Sequence, residues 1–154
     1  MELSSYITGF VDGEGSFLVS FSNRPKLSVG IEVRPSFSVS QHKRSKNIIV
    51  ELCKFFQCGS VRFSQRDQNY KYETRSLKDL VDIIIPHFEK YPLRTSKKED
   101  FNLFRQICLL MKKNKHLSAK GVKQIIRLAY QMNNLGSRRY EQEYLLRIVN
   151  KMKV

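Results

Sequence analysis

Ile7-Thr8-Gly9-Phe10-Val11-Asp12-Gly13-Glu14-Gly15-Ser16 decides how this chain is read. An apolar stretch ends in two carboxylates interleaved with glycines and runs straight into a β-like segment, Phe17-Leu18-Val19-Ser20-Phe21. A helix from about Ser4 to Gly13 sets Gly9 and Gly13 four apart on one face. Glycine costs about 1 kcal/mol against alanine inside a helix, so two at that spacing imply that another backbone comes very close. Glu14 then falls just past the helix C-terminus, where the macrodipole disfavours a carboxylate. A bound hard cation with oxygen ligands reverses that penalty, so the segment reads as a close helix–helix contact ending in a metal ligand.

Charge is the strongest compositional signal. The 154 residues carry a formal net charge of +14, with a pI near 9.9, which points to a polyanion and most simply to nucleic acid. Residues 101–140 hold nine Lys or Arg and no Asp or Glu, and residues 15–49 hold six basic side chains against the single acid Glu32. At 41% hydrophobic the chain fits one globular domain, with no apolar run of membrane-spanning length and no signal-peptide pattern. Three cysteines, Cys53, Cys58 and Cys108, without a C-x-x-C pair, argue for a reducing compartment and against a zinc site.

Alternation continues the pattern. Phe17, Val19 and Phe21 point one way while Leu18, Ser20, Ser22 and Arg24 point the other, and a loop spans Asn23 to Ser28. Residues 29–41 form a second strand with Ile31, Val33, Pro35, Phe37 and Val39 inward and Glu32, Arg34, Ser36, Ser38 and Ser40 outward; Pro35 implies an edge position or a bulge. Ser45 is placed to cap a helix through Gln57 that Gly59 ends. Ser60–Arg66 and Tyr70–Arg75 make a hairpin, with Val61 and Phe63 inward and Arg62, Ser64 and Arg66 outward. Ser76-Leu77-Lys78-Asp79 reads as a capping box for a helix through Ile85, interrupted by Pro86. Further helices run over about Ser96–Lys113, Ser118–Asn133 and Arg138–Lys151.

The expected fold is therefore α+β, an αββαββα core with a four-stranded antiparallel sheet covered by helices on one face, plus C-terminal helices. Residues 1–154 are taken as a single domain, with a core over about 1–114 and a helical extension over about 115–154. The uncovered face of so basic a sheet suits the DNA major groove, where each base pair displays its own donor and acceptor pattern. Ser20, Ser22, Arg24, Lys26, Glu32, Arg34, Ser38, Arg62, Ser64, Arg66, Lys71 and Glu73 are the candidate DNA-binding residues, some of them for phosphates alone, and the glutamates to accept from cytosine.

The motif ITGFVDGEGS resembles that of the LAGLIDADG homing endonucleases, with Glu14 where the family carries Asp or Glu. The resemblance extends over about the first 110 residues. Pro92-Leu93-Arg94-Thr95-Ser96-Lys97-Lys98-Glu99-Asp100-Phe101 resembles a second family segment, in which Lys97 takes the position of the active-site lysine and Lys98 is a near competitor. Gln41 stands where many members carry a polar residue near metal and water. With one motif copy, a chain supplies half an active site. The resemblance thus implies a C2 homodimer paired across Gly9 and Gly13, with Phe10 and Asp12 at the same interface, reading a pseudo-palindromic DNA site.

It also implies a metal-dependent endodeoxyribonuclease that leaves short 3′ overhangs. Glu14 and the Gly13 carbonyl hold Mg²⁺, for which Mn²⁺ substitutes while Ca²⁺ supports binding; Lys97 stabilises developing charge and Gln41 orients water. Members are encoded in introns of organellar or microbial genomes, which implies an intracellular protein with no membrane partner. Two alternatives stay open: an intron maturase, the one case that brings in RNA, and a non-cleaving dimeric DNA-binding regulator.

Overall fold

The computed structural model describes residues 2–132 and 138–152. Helix α1 (Leu3–Glu14) leads into β1 (Gly15–Asn23) and β2 (Ile31–His42). Then come α2 (Lys46–Phe56), β3 (Ser60–Ser64) and β4 (Asn69–Thr74). A helical run follows as α3 (Leu77–Asp79), a π turn (Leu80–Ile84) and α4 (Ile85–Lys90). The chain continues with α5 (Lys97–Lys112), α6 (Ala119–Ala129) and α7 (Gln142–Lys151). The four strands form one sheet in the order β1-β2-β4-β3. The α+β class, the antiparallel four-stranded sheet and the helix order all match the expectation, and no described helix is long and apolar enough to cross a membrane.

The chain divides into two compact units, Met1–Phe17 with Ser36–Lys98 and Leu18–Pro35 with Glu99–Val154. The first is built on aromatic packing. Phe17 and Phe37 stack at 5.1 Å, and the edge of Phe88 meets each of them at 5.6 Å. Ile7, Val11, Leu52, Tyr72, Leu80 and Ile84 complete a buried interior. In this unit β2 pairs with β4 from Phe37↔Thr74 to His42↔Asn69, and β4 with β3 from Ser60↔Glu73 to Ser64↔Asn69. The second unit buries Val19, Phe21, Ile31 and Val33 on its strand segments and Phe104, Ile107, Cys108, Val122, Ile125, Ile126, Leu145 and Val149 on its helices.

Several local expectations need correction. Phe63, expected inward, is 43% exposed, because it stands opposite Tyr70 next to the β3–β4 turn and packs on that ring at 4.8 Å. Ser36, expected outward, is buried. Pro35 lies on an interior strand, yet β4 pairs with β2 only from Phe37 onward, so the proline is spared on that side. Ser45 makes no side-chain cap to α2; instead the His42 ring accepts from the Arg44 N–H at 3.2 Å. Gln57, not a glycine, takes the left-handed position that ends α2 (φ 56°). Gly59 is needed two residues later: at φ +80° a Cβ would fall 2.6 Å from the Glu73 carbonyl.

Pro86 does not stop its helix. Ser76 caps it as expected, accepting from the Asp79 N–H. The π turn then passes the Ile85 N–H to the Leu80 carbonyl, which leaves Pro86 in the first turn of α4, where no N–H is required. Helix α7 starts at Gln142 and not at Arg138. Helix α6 ends at Ala129, short of the expected Asn133, which itself lies outside the described residues.

Candidate active site and nucleic-acid interface

The two carboxylates of the motif go separate ways. Asp12 turns into its own chain: its carboxylate accepts from the Arg94 N–H at 2.7 Å, the Thr95 N–H at 3.1 Å and the Thr95 hydroxyl at 2.6 Å. Burial raises the Asp12 pKa, but the hydrogen bonds from Thr95 and Arg94 and the charge of Lys97 outweigh it and hold the acid below the usual carboxylate range. Glu14, the last residue of α1, is exposed.

Lys97 reaches the same helix end. Its ammonium donates to the Asp12 main-chain carbonyl at 3.2 Å, one of the carbonyls the last turn of a helix leaves without an amide partner. Lys97 is half-buried and Lys98 exposed, the Lys98 backbone N–H going to the Thr95 carbonyl at 3.0 Å. Gln41 is half-buried on β2, opposite Tyr70 of β4. The structure thus brings Asp12 and Lys97 together at the end of α1, next to Gly13 and Glu14, while Gln41 stands on the sheet.

Gly9 and Gly13 are both exposed, and a Cβ built on either meets nothing within 4 Å. Nothing among the described residues therefore requires glycine at these positions. The same helix exposes Leu3 (44%) and Tyr6 (45%), with Phe10 half-buried 6.5 Å from the Tyr6 ring. Helix α1 thus carries exposed apolar side chains together with two glycines that have open space around them. The Asp12 carboxylate is engaged inside its own chain.

On the opposite side of α1, Thr8 is buried; its hydroxyl donates to the Tyr91 carbonyl at 2.9 Å and lies 3.0 Å from His87 Nε2. The Thr8 hydroxyl spends its one proton on the Tyr91 carbonyl, so the ring nitrogen is the donor. Burial among Phe55, Phe56 and Phe88 pushes the imidazole down to about 4.

None of the twelve candidate DNA-binding residues is buried. In the second unit, Glu32 pairs with Arg24 at 3.1 Å and Arg34 at 3.4 Å. Ser20, Ser22 and Arg34 there line a recess of about 310 Å³ that also contains Arg138, Arg139 and Tyr140. Arg138 donates to the Val19 carbonyl at 2.8 Å and the Ala129 carbonyl at 2.6 Å, and lies 4.6 Å over the Tyr130 ring. In the first unit, Glu73 pairs with Arg62, Lys71 and also Arg75. Sequence reasoning missed Arg75, although strand alternation from Lys71 and Glu73 points to it. Nothing in the sequence pointed to Arg138.

Among the described residues no three His, Cys, Asp or Glu side chains cluster as a metal site. What α1 offers is one exposed carboxylate beside the carbonyls of a helix C-terminus. These are hard oxygen donors that fit a divalent cation but amount to half a coordination shell.

The family model described as LAGLIDADG endonuclease matches residues 7–108. This chain belongs to the LAGLIDADG endonuclease family. A probable intron-encoded endonuclease of Neurospora crassa is 34% identical over 79% of this chain and 27% of its own. The crystal structure of the homing endonuclease I-TnaI is 36% identical with a TM-score of 0.84, covering 99% of this chain and 100% of the other. The I-SmaMI complex with uncleaved DNA in the presence of calcium ions is 31% identical with a TM-score of 0.86, covering 98% of this chain and 50% of that one. I-SmaMI bound to cleaved DNA gives the same TM-score. The chain spans about a quarter to a half of the length of the curated relatives it matches.

Proposed function

We propose that this LAGLIDADG protein is a homing endonuclease that acts as a homodimer and cuts both strands of a long pseudo-palindromic DNA site in a metal-dependent hydrolysis. The observation that carries this reading is the division of labour between two carboxylates two residues apart: Asp12 is bound into its own chain, and Glu14 is left exposed at the helix end. DNA binding alone does not need a carboxylate there, since it repels phosphate. Relatives named as intron-encoded endonucleases, and one relative solved on cleaved DNA, support the same reading.

Two copies of α1 meet across Gly9 and Gly13, which sets one Glu14 from each copy at the centre and completes the half shell that a single chain offers. The Glu14 carboxylate and the Gly13 carbonyl would hold Mg²⁺, with Mn²⁺ as a substitute and Ca²⁺ supporting binding only; the ion would supply Lewis-acid charge for phosphodiester hydrolysis. Lys97, fixed at the Asp12 carbonyl, presents a positive charge where negative charge develops on the phosphate. Gln41 orients the attacking water through its side-chain amide. Asp12 keeps Arg94, Thr95 and Lys97 in register with the motif helix. The solvent-facing strand residues of both units supply phosphate and base contacts. The host gene is an organellar or microbial intron.

The test is a pool of pseudo-palindromic duplexes selected for binding in Ca²⁺ and then exposed to Mg²⁺, with the parent and Glu14→Ala in parallel. Double-strand cuts by the parent and none by the variant are expected. Tight binding with no cut from either protein overturns the nuclease reading in favour of a regulator. Preference for structured RNA over every duplex overturns it in favour of a maturase.

A further inference from the structure

Glu73 collects three cations. Its Oε1 lies 3.4 Å from Arg62 Nη2 and 3.5 Å from Arg75 Nε, and its Oε2 lies 3.4 Å from Lys71 Nζ. The geometry follows from the strand period of two. Lys71, Glu73 and Arg75 fall on the same side of β4 and its exit, and Arg62 of β3 stands opposite Lys71, one diagonal from Glu73. Exposure is layered: the Glu73 side chain is 11% exposed, under Arg62 at 61% and Arg75 at 68%. The carboxylate is little exposed and both its oxygens are engaged by cations, so it is poorly placed to accept from cytosine. Exposed ion pairs of this kind add little stability, so folding alone does not account for the cluster.

We propose that Glu73 is a positioning residue for DNA recognition, holding Arg62, Lys71 and Arg75 as a preformed cationic fork, and that Arg75 is a DNA contact alongside the other two. The proposal rests on the DNA-cleaving function given above. Long basic side chains lose rotamer freedom when they bind, and fixing them beforehand lowers that cost only for a duplex that matches their geometry. Mobile cations grip any phosphate backbone equally well. By subtracting one charge and restraining three, Glu73 weakens non-specific binding and sharpens discrimination. Glu32 repeats the arrangement on a smaller scale with Arg24 and Arg34.

The experiment measures affinity of the full chain in Ca²⁺ for two duplexes across a salt series. One duplex is that selected by the parent, the other a scrambled duplex of equal length. Glu73→Gln is expected to bind the scrambled duplex about 3–10-fold tighter, with a salt slope steeper by up to about one unit, and to lose about tenfold in the ratio between the duplexes. Glu73→Asp keeps the charge but withdraws the carboxylate, so binding of the scrambled duplex stays at the parent value while the selected duplex binds several-fold more weakly. Arg75→Gln weakens the selected duplex more than the scrambled one. A merely structural role would move the thermal midpoint and both affinities together. Ratios unchanged in both Glu73 variants overturn the proposal while leaving DNA recognition standing. A parent that prefers no duplex at all overturns the recognition it rests on, and the proposal with it.

Discussion

Lys97 Nζ donates to the main-chain carbonyl of Asp12 at 3.2 Å, across 85 residues of sequence. The bond delivers a cation to the C-terminal end of the motif helix, two residues from the carboxylate assigned to metal. Its neighbour Lys98 is exposed. Lys97→Met is therefore expected to cut about 10²–10³-fold more slowly than the parent, as for loss of one preorganised charge at a reacting phosphate, with binding in Ca²⁺ nearly unchanged. Lys98→Met is expected to cut at close to the parent rate. Single-turnover cleavage of the selected duplex by the two variants separates the lysines.

Asp12 is a stability residue in the same place. Its carboxylate takes three donors from Arg94 and Thr95, and Asp12→Ala removes that shared acceptor. A loss of about 1–3 kcal/mol is expected, measured by urea unfolding at pH 7. The sign of the pH effect follows from the lowered pKa. The folded protein keeps Asp12 ionised to lower pH than the unfolded chain does. Its contribution is thus complete above the unfolded-state pKa and disappears as pH falls through the folded one. Asp12→Asn removes that part of the acid dependence.

The motif helix and the strand alternation were legible because they are local: ten residues carry the helix, the glycine spacing and both carboxylates, and period two assigns each strand face. What was not legible depends on partners far along the chain. The destination of the Asp12 carboxylate, 82 residues away at Arg94, has no local signal. Pro86 looked like a helix stop because a π turn, which removes the conflict, leaves no mark in composition. Phe63 has an inward pattern, but its place beside the turn leaves it to Tyr70 alone. Arg138 earns its place from two carbonyls and a ring.

His87 makes the motif helix acid-sensitive. The ring is held neutral against Thr8, with its pKa pushed down to about 4 from 6.5 by burial. Between those values the unfolded chain binds the proton that the folded chain refuses, so stability is full above about pH 6.5 and falls as pH drops toward 4. Urea midpoints at pH 7.5 and pH 5 are expected to differ in the parent. In His87→Gln, which keeps a donor for Thr8 but cannot titrate, that part of the difference vanishes. Equal pH dependence in the two proteins would sink this assignment.

Gly9 and Gly13 offer a test in which stability and assembly move in opposite directions. Both lie within α1, and a Cβ on either meets nothing within 4 Å among the described residues. If these glycines served only the fold of one chain, alanine would be harmless and even helpful, since it gains about 1 kcal/mol over glycine in a helix interior. If they serve a second copy of α1, the added methyl groups hold the two backbones apart. The double variant Gly9→Ala/Gly13→Ala is therefore expected to unfold at higher urea than the parent at concentrations where both are monomeric. It is expected to self-associate more weakly by sedimentation equilibrium and to lose double-strand cleavage. Cleavage falls because the second Glu14 no longer arrives. Undiminished self-association in the double variant would place the dimer contact elsewhere.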